Sequence, residues 1–208
     1  MTAHTLSALG AGFSNEALGS QAVFRAVLQA LSQPGKPVRV DHDAQVPAVG
    51  HSAAAAALLA LLDSDCSLWL SPRLATSNAG QWLRFHTGCQ LVNLPEQARF
   101  VWVAAGDAMP PLHALALGSD AYPDQSATCV LDVDAMDADA VAHGAWRLSG
   151  PGIRDEQHLR VSGLPADFER QWADNHVAFP RGVDVLLATA NHLAGLPRTT
   201  RIPSAVEA

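Results

Sequence analysis

The chain has 208 residues, a formal charge of −7 and 49% apolar residues, enough to bury a sizeable core within one domain spanning 1–208. The acidic balance argues against nucleic acid, which rewards a basic surface able to displace counterions. No membrane-crossing helix is expected either, because the longest apolar stretch, Ser52 to Leu62, is mostly alanine and shorter than the roughly 20 residues a span requires.

The start, Met1 to Ser7, lacks the basic region, apolar run and small-residue cleavage site of a secretion signal, so a cytoplasmic protein is expected. Residues 1–12 read as a flexible amino-terminal tail and 203–208 as a carboxy-terminal one. Cys66, Cys89 and Cys129 are widely spaced and odd in number. That pattern predicts buried, reduced thiols rather than a disulfide framework or a zinc clip.

From Ser20 the pairs Val23-Phe24 and Val27-Leu28, followed by Leu31, recur at helical spacing and stop at Pro34-Gly35. An alanine-rich helix from Ser52 to Leu62 follows and should pack deep in the core, since alanine combines high helix propensity with close backbone approach. Short strand-forming runs come next at Ser67–Leu70, Phe100–Val103, Thr128–Val133 and Ala145–Leu148, with a helical stretch at Leu112–Leu117. Pro165 to His176 reads as a helix with Phe168 and Trp172 on one face. Val183 to Ala188 is apolar throughout, and periodicity alone does not decide between strand and helix start.

This alternation predicts an α/β fold. Runs that are apolar at successive positions suit strands covered on both faces, so the expectation is a three-layer α/β/α sandwich with a mixed central sheet.

Four segments join backbone-restricting residues to polar side chains: Arg84 to Gly88, Ser149 to Ile153, Phe179 to Asp184 and Leu196 to Thr200. In the first, Arg84, His86 and Thr87 precede a glycine that closes a helix end; His86 is either a carboxy-terminal cap favoured by the helix dipole or a binding or catalytic group. In the second, Ser149, Gly150 and Gly152 form a tight turn whose amides are able to accept an anion. Lys36, the single lysine, lacks Walker A spacing. In the last two, Arg181 and Arg198 lie beside turns with Asp184, Thr199 and Thr200 nearby. Such arginines either grip an oxyanion with help from the hydroxyls or pair with a carboxylate at a subunit interface.

None of the nine histidines forms a His-x-x-x-His pair, and Asp132 to Asp139 reads as a solvated acidic loop, so no metal is expected. His42, between Asp41 and Asp43, reads as a surface turn. No Gly-x-Ser-x-Gly elbow marks a hydrolase, and catalytic residues stay unassigned. The binding candidates are Arg84, His86, Thr87, Ser149, Gly150, Gly152, Arg198 and Thr199.

The ordered set Gln21 to Arg25, Leu31 to Gly35, Leu61 to Asp63, Arg84 to Gly88, Leu148 to Ile153, Phe179 to Asp184 and Leu196 to Thr200 resembles the PhnH family over roughly Phe13 to Ile202. These are the H subunits of the bacterial carbon-phosphorus lyase core complex. The resemblance implies work with partner subunits G, I and J in a transferase complex that turns ATP and methylphosphonate into α-D-ribose 1-methylphosphonate 5-triphosphate with release of adenine. It implies a homodimer and a fold like the large domain of pyridoxal-phosphate transferases without the cofactor. The sequence agrees independently, because a pyridoxal enzyme needs a Schiff-base lysine and Lys36 sits in a turn between Gly35 and Pro37; no cofactor is expected.

Two functions follow. The chain is an accessory subunit whose exposed apolar surface is covered by copies or partners, or it contributes a site for ATP or a phosphonate built from Arg84, His86, the Ser149 loop and Arg198.

Overall fold

The structure, a computed structural model, describes residues 9–138 and 144–203. Most of the expected amino-terminal tail, most of the carboxy-terminal one and Asp139 of the acidic stretch lie outside those residues. Leu9 is buried, and the Gly10 carbonyl accepts a hydrogen bond from His86 Nε2 at 3.1 Å.

Helix α1 (Glu16–Ser32) begins four residues before the expected start, because Asn15 caps it by accepting from Leu18 N at 3.1 Å. Its inner face is Val23, Val27 and Ala30. The helix stops as expected before Pro34 and Gly35, the latter at φ 76°. Strand β1 (Val38–Arg39) follows, then helix α2 (Ser52–Leu61), whose Ala53 to Leu58 are all buried.

Next come β2 (Ser67–Leu70), the short α3 (Pro72–Ala75), α4 (Ala79–Thr87), β3 (Gln90–Leu91), β4 (Phe100–Val103) and β5 (Thr128–Asp132). The chain then makes β6 (Ala135–Asp137), β7 (Trp146–Leu148), β8 (Gln157–Ser162), α5 (Phe168–Val177), β9 (Asp184–Ala188) and β10 (His192–Leu196). Val183–Ala188 is therefore resolved as strand.

Seven strands form one mixed sheet in the order β1-β10-β9-β5-β4-β2-β3. β3, β2, β4, β5 and β9 run parallel, and β10 is antiparallel to both of its neighbours, β9 and β1, so that β1 runs in the direction of the parallel strands. The continuous apolar runs divide between two faces with period two. Trp102, Val130, Leu186 and Leu193 point to the side carrying α1, α2 and α4. Val101, Val103, Cys129, Leu131, Val185 and Leu187 point to the side carrying α5. The alanines of α2 and Gly195 of β10 let the first layer approach closely; a Cβ on Gly195 would stand 2.5 Å from the Ala30 carbonyl oxygen of α1.

On the second side, Phe168 and Trp172 stack as expected (centroids 6.1 Å apart), and Trp146 extends the stack onto Phe168 at 5.7 Å. Trp146 belongs to a separate antiparallel sheet of order β6-β8-β7. Ala145–Leu148 thus contributes its strand there, with an alternating buried-exposed-buried pattern, instead of to the central sheet.

Two readings of the sequence are corrected. Leu112–Leu117 makes only a single 3₁₀ turn, Leu112–Ala114. The segment then extends, because the Ala116 carbonyl accepts from Ala127 N at 2.7 Å and Leu117 bridges to Ser126; six residues supply too few helical bonds to resist that pairing. Within the stretch read as a solvated acidic loop, Asp132 ends β5 at 1% exposure and Ala135–Asp137 is strand β6, while Asp134 and Asp137 are exposed.

No helix of the described residues is long and apolar enough to cross a membrane. Cys89 and Cys129 are buried and Cys66 is half-buried, all three as free thiols.

Candidate functional site

The amino-acid candidates separate into distinct places. Gly88, at φ 77°, ends α4 as expected and leaves Arg84, His86 and Thr87 in its last turn. Arg84 is exposed and borders a hollow of about 440 Å³ beside β2 and β3. His86 and Thr87 turn the other way, into a cleft of about 550 Å³ where α1, α2 and α4 meet. The imidazole is held edge-on against Trp82 (centroids 5.2 Å) and Phe85 (5.0 Å). Because the Gly10 carbonyl can only accept, His86 Nε2 is the donor. Thr87 Oγ1 donates to the Leu83 carbonyl at 2.8 Å.

The apolar Phe13, Leu59 and Leu62 and the carboxylates Glu16 and Asp63 also line the cleft. Asp63 is held below the ordinary carboxylate value, first by its hydrogen bond from the Cys66 side chain and then by the Asp65 N–H, which donates at 2.9 Å. It is a fixed anion at neutral pH.

The Ser149 turn lies on the far side of the molecule, following β7 in the second core. Ser149 exchanges backbone hydrogen bonds with Arg201 (2.8 and 3.2 Å). Gly150 has φ 132°, and a Cβ there would stand 2.8 Å from the Thr199 carbonyl oxygen, so a side chain would push the two segments apart. The structure thus brings Ser149, Gly150 and Thr199 together. Gly152 borders a small hollow of about 120 Å³ shared with Lys36 and Arg154.

Arg198 turns inward. Its backbone N–H and Nε donate to Asp184 Oδ1 (2.8 and 3.1 Å), and Nη2 donates to Asp184 Oδ2 and Ser126 Oγ (2.5 Å each). Nη1 donates to the carbonyl of Pro123 at 2.9 Å. The carboxylate that Arg198 pairs with belongs to the same chain and not to a subunit interface. Arg181 pairs with Asp120 on the surface at 3.3 Å.

Asp41 pairs with Arg39 at 2.7 Å, His42 Nε2 meets Ser52 Oγ at 2.7 Å, and Asp43 bonds Ser14. Among the described residues, no group of three or more His, Cys, Asp or Glu side chains is placed to hold a metal ion.

Sequence reasoning missed a polar node at the carboxyl ends of the parallel strands, where open α/β sheets place their ligands. Asp132 accepts from Trp102 Nε1 at 3.1 Å and from the backbone N–H of His51, at the start of α2, at 2.9 Å. Burial pushes its carboxyl above the ordinary value, against the lowering effect of these two donors and the His51 ring. Beside it, Asp107 Oδ2 accepts from Ser71 Oγ (2.6 Å) and Arg73 N (2.9 Å), tying the end of β2 to the turn after β4. A hollow of about 370 Å³ opens over this edge. The only sequence signal was an aspartate ending an apolar run, which looks the same whether the loop behind it is open or covered.

A mixed α/β chain whose polar motifs serve segment joining more than one convergent centre is the class that fold and geometry define. The family model described as bacterial phosphonate metabolism protein (PhnH) matches residues 11–203. The chain is 36% identical over 202 residues to the Alpha-D-ribose 1-methylphosphonate 5-triphosphate synthase subunit PhnH of Rhizobium meliloti (strain 1021), covering 97% of this chain and 98% of that protein. It is also 36% identical over 184 residues to HtxG of Stutzerimonas stutzeri, a C-P lyase subunit protein by name, covering 88% and 85%. The chain belongs to the PhnH family of bacterial phosphonate metabolism proteins.

Proposed function

We propose that this chain is an accessory subunit of a carbon-phosphorus lyase core complex, required for making α-D-ribose 1-methylphosphonate 5-triphosphate from ATP and methylphosphonate with release of adenine. The observation that carries this reading is the match, over nearly the full length of both proteins, to a relative named as a subunit of that synthase. Its partners in this reading are subunits G, I and J, it pairs with a second copy of itself, and it works in the cytoplasm.

The surface supports a subunit role. Phe24 and Leu28 on α1, Phe85 on α4, and Leu91 and Leu94 beyond it are all at least 41% exposed, the kind of apolar area that partners cover. Residues 1–208 act as one domain in this reading, and helices on both faces of the mixed sheet support a three-layer sandwich like the large domain of pyridoxal-phosphate transferases. Lys36, in the turn after α1 with its N–H on the Gln33 carbonyl, is exposed and distant in sequence from the strand ends where ligands gather.

The test is co-expression with cognate G, I and J subunits and a tag on this chain alone. A stoichiometric complex that stops releasing adenine when this chain is omitted is the expected result; elution of the chain by itself would refute the proposal.

A further inference from the structure

Two of the three cysteines, remote from each other in the sequence, are brought side by side by the parallel pairing of β2 with β3. Ser67 aligns with Gln90 and Leu68 with Leu91, so Cys66 and Cys89 are the aligned positions immediately before them. The Gln90 N–H donates to the Cys66 carbonyl at 2.9 Å, which closes the pairing at that end. The approach to it is equally close: a Cβ on Gly88 would lie 3.5 Å from Ser64, and the Gln90 side-chain amide donates to the Ser64 carbonyl at 3.2 Å. Aligned positions of neighbouring strands lie about 4.8 Å apart, within the roughly 4.4–6.8 Å between Cα atoms that a disulfide bridges.

Both side chains also leave the sheet on one side. Side chains alternate along a strand, and Cys66 precedes Leu68 by two positions as Cys89 precedes Leu91. Leu91 faces α4, since a Cβ on Gly80 of that helix would stand 3.0 Å from it. Leu68 and Cys89 belong to the core on that side of the sheet, and Cys66 packs against it. Cys129 lies on the opposite face, in the second core. Cys66 is half-buried and Cys89 is 1% exposed, so one thiol of the pair meets solvent and the other waits beneath it. In the reduced chain each thiol has a polar neighbour of its own, Asp63 for Cys66 and Thr87 for Cys89. Joining them takes a change of side-chain rotamer, not of backbone.

We infer that Cys66 and Cys89 are a reversible redox pair, joined under oxidising conditions into a disulfide that latches the start of β2 to the start of β3. The oxidant is a low-molecular-weight disulfide of the glutathione class. The accessible Cys66 thiol gives up its proton and attacks one glutathione sulfur, breaking that S–S bond and releasing one glutathione thiolate. Cys89 then gives up its proton and attacks the Cys66 sulfur of the mixed disulfide, forming the protein S–S bond and releasing the second glutathione thiolate. Two protons and two electrons thus pass from the cysteine pair to the glutathione disulfide, which ends as two thiols. The closed segment holds β2, α3 and α4, and with them Arg84, His86 and Thr87. Burial raises both cysteine thiols above their ordinary value, so the exchange is slow and needs sustained oxidant.

The test uses the full-length chain and needs no other subunit. Incubation of the folded protein with oxidised glutathione gives a chain lighter by two hydrogens, and mass spectrometry of its digest without reductant finds the Cys66 and Cys89 peptides joined and Cys129 free. The melting temperature rises by about 3 °C or more, as expected for a cross-link that restrains the unfolded chain, and returns to its starting value with dithiothreitol. In Cys89→Ser the glutathione stays on Cys66, because nothing displaces it. A wild-type chain that keeps glutathione on Cys66, stays fully reduced or links through Cys129 overturns the inference. So does a joined pair that leaves the melting temperature unchanged or lowers it, since the bond would then strain the fold instead of latching it.

Discussion

Trp102 and Asp132 stand on neighbouring parallel strands and meet inside the molecule, the indole Nε1–H donating to the carboxyl at 3.1 Å with both residues at most 1% exposed. The His51 N–H completes the node and fixes the start of α2 to the end of β5.

The pH dependence of this node has a definite sign. Burial raises the Asp132 carboxyl above its ordinary value of 3.8, so the folded chain holds that proton more tightly than the unfolded one. Its contribution is full below 3.8 and is lost as pH rises through the folded value. Asp132→Asn, uncharged and of the same shape, removes this slope. Urea unfolding at intervals from about pH 4 to 7 should show wild-type stability declining relative to the variant as pH rises above 3.8. A difference between the two that is constant with pH would contradict the assignment.

Arg198 ties the start of β9, the end of β10 and the Pro123–Ser126 turn through one guanidinium. With the arginine side chain 12% and its partner 27% exposed, removal leaves a largely buried carboxylate unpaired. Arg198→Ala is expected to cost about 3 kcal/mol in denaturant unfolding. In a double-mutant cycle with Asp184→Asn the two losses should be strongly non-additive.

The alanines of α2 are a packing requirement. Ala56 is fully buried on α2, which packs against α1, α4 and the sheet, so Ala56→Leu adds volume to a filled layer and should lower stability by about 1–3 kcal/mol despite leucine's good helix propensity. A higher melting temperature would show unfilled space there.

The thiols should react in order of exposure. Burial pushes Cys129 up to about 12 and raises Cys66 and Cys89 less far, and only Cys66 is half-exposed. Mass spectrometry after mild alkylation should find Cys66 modified first and Cys129 last, with all three reacting once the chain is unfolded.

Much of this molecule was legible along the chain. Val23 and Val27 gave the inner face of α1, Pro34-Gly35 its end, Gly88 the end of α4, and Phe168 with Trp172 the stacking face of α5, because these signals are carried by residues within one or two turns of each other. The ordered motifs pointed to the family for a similar reason, each being a local backbone requirement.

What the sequence left open depends on partners far along the chain. Val183–Ala188 became a strand because β5 and β10 pair with it on both sides; its uniform apolar character carries no period with which to choose. Arg198 had two readings until Asp184, 14 residues away, was placed against it across the β9-β10 turn. Asp132 looked solvated because its covering groups, Trp102 and His51, lie 30 and 81 residues earlier. The sequence by itself determined the body and end of α1, the end of α4, the stacking face of α5 and the family. Tertiary structure alone decided which polar groups are buried, which pair, and that His86 and Thr87 face one cleft while Arg84 faces another hollow, since burial and pairing are properties of segments meeting in space.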